Sequence, residues 1–199
     1  MLPTASPTSP GHHTVVASAG VSANISPLAL RDLLLKLNTA CSGAVWREPS
    51  LRPNQGKALV HISDPSKPRA LLIVDQTGSG KTHITGVAGV VEKGITFILI
   101  NLHSLSADQL AKFVEANQAY GTVEAHNADE LYPKSRQLYH KALRRARGLS
   151  VRTTSTMFFF ASPQFVCNHP EFAQMLVLQA EARVLRLVVL DEVHLHVQQ

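Results

Sequence analysis

The sequence predicts an α/β protein in which a parallel sheet carries helices on both faces, and three observations predict it. From residue 50 onward, apolar runs of strand length alternate with segments of helical periodicity, the pattern of repeated strand–helix–strand units. One apolar run, Leu71-Leu72-Ile73-Val74, is followed by a glycine-punctuated turn, Gly78-Ser79-Gly80-Lys81-Thr82. A second, Leu187 to Leu190, ends in two consecutive carboxylates, Asp191 and Glu192. Ligands of open α/β sheets gather at the carboxyl ends of the strands, which is where both turns fall.

Taken in order, residues 1–27 hold no Asp, Glu, Lys or Arg and are rich in Ser, Thr, Pro and Ala. Such a segment cannot bury enough apolar surface to offset its ordering entropy and reads as disordered. A transit peptide is the alternative, opposed by the absence of arginine before Arg31. Residues 28–49 read as an N-terminal helix and linker. Leu28, Leu30, Leu33, Leu34, Leu35 and Leu37 supply its apolar side, Ser26 its cap and Pro27 its first turn. That helix either docks on a partner or covers the domain's edge. Residues 50–199 form the α/β domain, with strands expected at 71–75, 96–101, 122–126, 156–161 and 186–191. Helices are expected at 54–62, 81–92, 105–118, 128–147 and 170–182. On the fourth helix Arg136, His140, Arg144 and Arg147 recur at helical spacing, beside Lys134, Lys141 and Arg145. That stripe either tracks phosphates or is a solvated face opposite Leu131, Leu138, Ala142 and Leu143.

The 199 residues, 45% of them hydrophobic, suffice for one core plus tails. A net charge of +5 suits a polyanionic partner, although proteins that bind none share it. No apolar run approaches the roughly 18 residues that span a membrane, and the N-terminus lacks the basic start and apolar core of a secretory signal. A soluble, intracellular protein is expected. Cys41 and Cys167 stand far apart without metal-ligand spacing, which argues against a disulfide framework or a zinc module.

The glycine-punctuated turn has the chemistry of a phosphate-binding loop. Gly78 and Gly80 let the backbone curl so that successive N–H groups converge on one anion. Lys81 supplies a point charge, Thr82 offers a hydroxyl to magnesium, and the following helix turns its positive end to the same phosphates. The full pattern would place glycine where Asp75 stands, and a bare G-K-T can also be a solvated turn. The strand before, the helical pattern after (Ile84, Val87, Ala88, Val91) and the second motif argue for the loop. In that second motif, Asp191 can hold magnesium while Glu192 orients and deprotonates an attacking water.

Together the two motifs resemble the superfamily-two (DEAD/DEAH-like) helicases, and the intervening segments are similar to the RecQ-like branch. LRPNQ at 51–55 looks like that family's adenine-recognition segment. ILINLHSLSADQL at 98–110 and FFFASPQFV at 158–166 resemble its segments that touch the nucleic-acid backbone, and DEVH at 191–194 closes the series. RecQ-like enzymes often lack the loop's first glycine, which accommodates Asp75, while Val193 replaces the usual alanine. The resemblance implies the first RecA-like domain of an ATP-dependent helicase. Its cofactors are ATP and Mg2+, its partner is a nucleic acid with DNA favoured over RNA, and its setting is the nucleus rather than the cytoplasm. By the same resemblance Arg52 and Gln55 embrace adenine, and Thr77, Gly78, Ser79, Gly80 and Lys81 hold the phosphates. Thr82 and Asp191 hold magnesium, and Lys81, Asp191 and Glu192 form the catalytic set. Ser104, Gln109 and Ser162 touch nucleic acid, and His194 relays the nucleotide state.

Two other readings stand beside this one. A truncated, non-catalytic nucleotide- or nucleic-acid-binding fragment is the first. An unrelated phosphate-loop ATPase is the second, for which LRPNQ and SLSADQ would be coincidences. Helicases of this type carry an arginine finger on a second RecA-like domain, and its loss costs about 10³ to 10⁵ in turnover, so the chain alone is expected to be inactive. The family's next strand sits mid-sheet, so a sheet incomplete at its C-terminal side and a marginal fold are also expected.

Overall fold

The structure, a computed structural model, describes residues 53–63, 71, 73, 80–100, 110, 111, 113–115 and 122–191. Their elements are, in order, α1 (Pro53–Ser63), α2 (Lys81–Glu92), β1 (Gly94–Leu99), β2 (Val123–Asn127), α3 (Ala128–Lys134), α4 (Arg136–Arg147), β3 (Thr156–Ala161), α5 (Pro163–Asn168), α6 (Pro170–Glu181) and β4 (Leu185–Leu190). Residues 110, 111 and 113–115 are also helical. The strands form one sheet in the order β2-β3-β1-β4, with every pairing parallel. This is the α/β architecture that the alternating pattern predicts.

Parallel sheets are covered on both faces, so their central strands read as continuous apolar runs. β3 is buried along its whole length and β1 along all but its last residue. Alternation sends Ile95, Phe97, Met157 and Phe159 to one face, against Tyr139, Ala142 and Leu143 of α4 and Phe172 and Met175 of α6. Ile98, Phe158 and Phe160 point to the other face, against Val90 of α2 and Phe113. A third apolar cluster joins Ala58 and Leu59 of α1 to Ile84, Val87 and Ala88 of α2, with Leu71, Ile73 and Leu187 against it. At Gly89 helix and sheet touch. A Cβ there would lie 2.7 Å from both Phe158 Cζ and Thr96 Oγ1, so only glycine permits the approach.

Several expectations need correction. The helix expected over 128–147 is two helices, because Pro133 lacks an N–H and Ser135 turns extended (φ −160°, ψ 97°). Ser135 then caps α4 by accepting from Leu138 N at 3.3 Å. The new start rephases the helix, so Tyr139, Ala142, Leu143 and Ala146 are buried while Leu138 is 53% exposed. Between the strand expected at 156–161 and the helix expected at 170–182 lies an unexpected helix, α5, which Ser162 caps through its bond from Phe165 N. The strand expected at 71–75 is no strand at Leu71 or Ile73, its two described positions. A strand exists only as part of a ladder, and β4's outer edge has no ladder partner among the described residues. Leu71 and Ile73 instead pack as apolar side chains on α1 and α2.

Two turns from helix to strand are strained. Lys93 (φ 51°), between α2 and β1, and Arg183 (φ 57°), between α6 and β4, hold positive φ without being glycine, a cost of about 1 to 3 kcal/mol each.

Candidate nucleotide-binding site

Helix α2 fixes the geometry. Its C-terminal end turns at Lys93 straight into Gly94 of β1, so α2 runs antiparallel to β1 and its amino end stands at the strands' carboxyl ends. Gly89 marks where the helix touches the sheet. Lys81 lies eight residues earlier, about 12 Å along the axis. Gly80 caps α2 in the left-handed region (φ 90°, ψ 31°) and accepts from His83 N at 3.0 Å and Ile84 N at 3.3 Å. Gly80 makes no side-chain cap, and the positive end of a helix suits an anion. Lys81 is half-buried, and Thr82 is exposed.

Gln55, on α1 and only 3% exposed, sits against this cap: a Cβ on Gly80 would collide with Gln55 Nε2. The packing of α1 on α2 therefore places an adenine-recognition candidate beside the last glycine of the phosphate loop. Asp191 follows β4, where its N–H donates to Leu99 O at 2.9 Å and fixes the residue at the same sheet edge. Thr82 and Asp191 both offer hard oxygen, which fits Mg2+, an ion that takes one or two protein oxygens and completes its shell with phosphates and water. Among the described residues no group of three or more His, Cys, Asp or Glu could hold a metal by itself. The glycine cap, the cation and the oxygen donors thus fit a magnesium–nucleotide. Of the remaining expected site residues, Arg52, Thr77, Gly78, Ser79, Ser104, Gln109, Glu192 and His194 lie outside the described residues.

Ser162, expected to touch nucleic acid, is buried with its hydroxyl engaged inside the fold. Its Oγ donates to Asp129 Oδ1 at 2.6 Å and accepts from Phe165 N at 3.0 Å, and its N–H donates to Asp129 Oδ2 at 2.7 Å. This clamp ties the start of α3 to the end of β3 and fixes the turn that carries α5. Asp129 was not singled out from the sequence, because its partner lies 33 residues away.

A cleft of about 190 Å³ at the carboxyl end of β2 also escaped the sequence reading; Asn127, Glu130 and Lys134 line it between Leu110 and Leu131. Glu130 accepts from Asn127 Nδ2 at 3.2 Å and from Lys134 Nζ at 2.8 Å, while among the described residues the buried Asn127 Oδ1 has no hydrogen-bond donor and the buried His126 Nε2 has no partner besides Glu124. Burial pushes the His126 imidazole below its ordinary pKa of 6.5, against the opposing pull of Glu124, whose Oε2 lies 3.4 Å away. The folded state thus favours neutral His126, and the unfolded chain takes up a proton more readily. The stabilisation is complete above pH 6.5 and is lost as pH falls from there towards the lower folded-state pKa. Urea midpoints measured between pH 7.5 and 5.5 should therefore drop more for the wild type than for His126→Gln; equal pH slopes would contradict the burial argument.

No described helix is long and apolar enough to cross a membrane. A family model described as DEAD/DEAH box helicase matches residues 52–199, about three quarters of the chain. No curated protein and no solved structure matches.

Proposed function

The chain belongs to the DEAD/DEAH box helicase family, and we propose that it is the ATP-binding domain of a RecQ-like DNA helicase. In this reading ATP hydrolysis is coupled to movement along a strand. The observation that supports it is the packing of Gln55 against Gly80, which brings the side-chain amide of α1 to the amino-terminal cap of α2. LRPNQ and SLSADQ support the RecQ-like branch and, with it, DNA.

Each residue then has a physical task. Gln55, held rigid by burial, brings to the adenine side of the site an amide, a group that can donate and accept, and Arg52 lies three residues before it in sequence. Lys81 neutralises phosphate charge, assisted by the amino end of α2. Thr82 and Asp191 would hold Mg2+, which supplies charge neutralisation at the phosphates when bound. Glu192 accepts the proton of the attacking water. The other half of the cleft, with its arginine finger, is proposed to come from a second RecA-like domain.

Competition binding with ATP and GTP tests the reading. The wild type should prefer ATP by about tenfold or more, equivalent to ~1.4 kcal/mol. Gln55→Ala should bind both nucleotides alike. Equal affinity of the wild type for the two would remove the support for an adenine-reading helicase site.

A further inference from the structure

We propose that the amino-terminal edge of the sheet, opposite the nucleotide site, is a second nucleic-acid-binding surface on which Lys93, Arg152, Arg183 and Arg186 meet the phosphates. Three backbone irregularities lie along this edge, and each presents a cation. Lys93 and Arg183 hold positive φ at the turns into β1 and β4, where glycine would be the unstrained choice. Arg186 is the extra residue of a bulge in β4: Ile95 pairs with Leu185 and Thr96 with Leu187, leaving Arg186 between them. Bulges re-aim side chains, and this one sends Arg186 across Gly94, where a Cβ would lie 3.1 Å from Arg186 Cγ. Its Nη2 donates to Val151 O at 3.3 Å, in the turn that carries Arg152.

The cations form one patch because the strand starts are bonded together. Gly94 N donates to Ser155 O and Ile95 N to Val184 O, both at 2.9 Å. Arg144 and Arg145, on the last turn of α4, extend the patch, and Glu124 pairs with Arg145. The described acids of this edge are Glu92, Glu124 and Glu181, three carboxylates against six cations. Neither Glu92 nor Glu181 forms an ion pair among the described residues. Local strain retained at two basic residues, together with a bulge at a third, indicates a placement that the fold alone does not require. Three of the four central groups are guanidinium forks, which match phosphate oxygens bidentately. The proposal does not rest on the ATP reading, whose residues occupy the other edge.

The test compares the full chain with the triple variant Lys93→Gly, Arg152→Ser and Arg183→Gly. The two glycines relieve positive φ, so thermal melting should show no loss of stability, and ATP affinity should be unchanged. Anisotropy of a fluorescein-labelled oligothymidylate, without nucleotide, is followed from about 50 to 200 mM salt. Loss of three phosphate contacts should make the slope of log K against log salt shallower by about 2, with at least tenfold weaker binding at the lowest salt. Arg152→Glu, a single change on an exposed turn, should weaken binding in the same direction and serves should the triple variant fail to fold. Unchanged affinity and slope in both variants would overturn the proposal, as would a wild-type chain that does not bind the oligonucleotide. So would a triple variant that loses binding only to phosphatidylserine vesicles.

Discussion

Lys81→Ala should weaken ATP binding by about 10- to 150-fold while the fold and its melting temperature stay as in the wild type. Lys81 is the first residue of α2 and follows directly on the left-handed Gly80 cap, which places a cation at the helix end proposed to hold the phosphates. A hydrogen bond to a charged group contributes about 1.5 to 3 kcal/mol, which gives the fold-change at ~1.4 kcal/mol per decade. Alanine is the best helix former, so the substitution does not weaken α2. Isothermal titration beside circular dichroism separates the two effects. Equal affinity for the wild type and the variant would show that the loop does not hold the nucleotide.

Phe158→Ala should cost about 3 to 5 kcal/mol, a large share of the roughly 5 to 15 kcal/mol that stabilises a domain. Phe158 is fully buried in β3, stands edge-on to Phe113 with ring centroids 4.6 Å apart, and lies under Gly89, where α2 meets the sheet. Its removal leaves a cavity that the central strands cannot close, since β1 and β2 hold β3 in register on both sides. Urea denaturation reads the loss as a lowered midpoint with an unchanged slope. A change below ~1 kcal/mol would mean that helix and sheet are not packed through this ring.

What could be read from the sequence follows from which forces are local. The central strands β1 and β3 were legible because burial on both faces writes a nearly continuous apolar run, ITFIL and TMFFFA, with only threonine among its residues as a polar exception. The start of α2 at Lys81 was legible from the glycine before it. The break at Ser135 was legible too, from Pro133 and a serine cap, but the long apolar and basic periodicity outweighed those signals. Ser162-Pro163 likewise announced α5, a cap followed by proline in the first turn. Leu71 and Ile73 show the limit of apolar runs: composition marks a buried segment, whereas a strand also needs a neighbour to bond. Contacts between distant residues carry no local signature. The Asp129–Ser162 clamp and the cleft beside Asn127 were therefore invisible, and the approach of Gln55 to Gly80 was anticipated only through the family resemblance.

On the proposed function, Thr82 on α2 and Asp191 after β4 serve one magnesium–nucleotide site at the carboxyl edge of the sheet. ATP affinity measured with and without Mg2+, for the wild type and for Asp191→Asn, tests it most directly. The wild type should bind ATP more tightly when magnesium is present, and Asp191→Asn should lose that gain while matching the wild type in magnesium-free buffer. A variant that retains the full magnesium-dependent gain would contradict the claim.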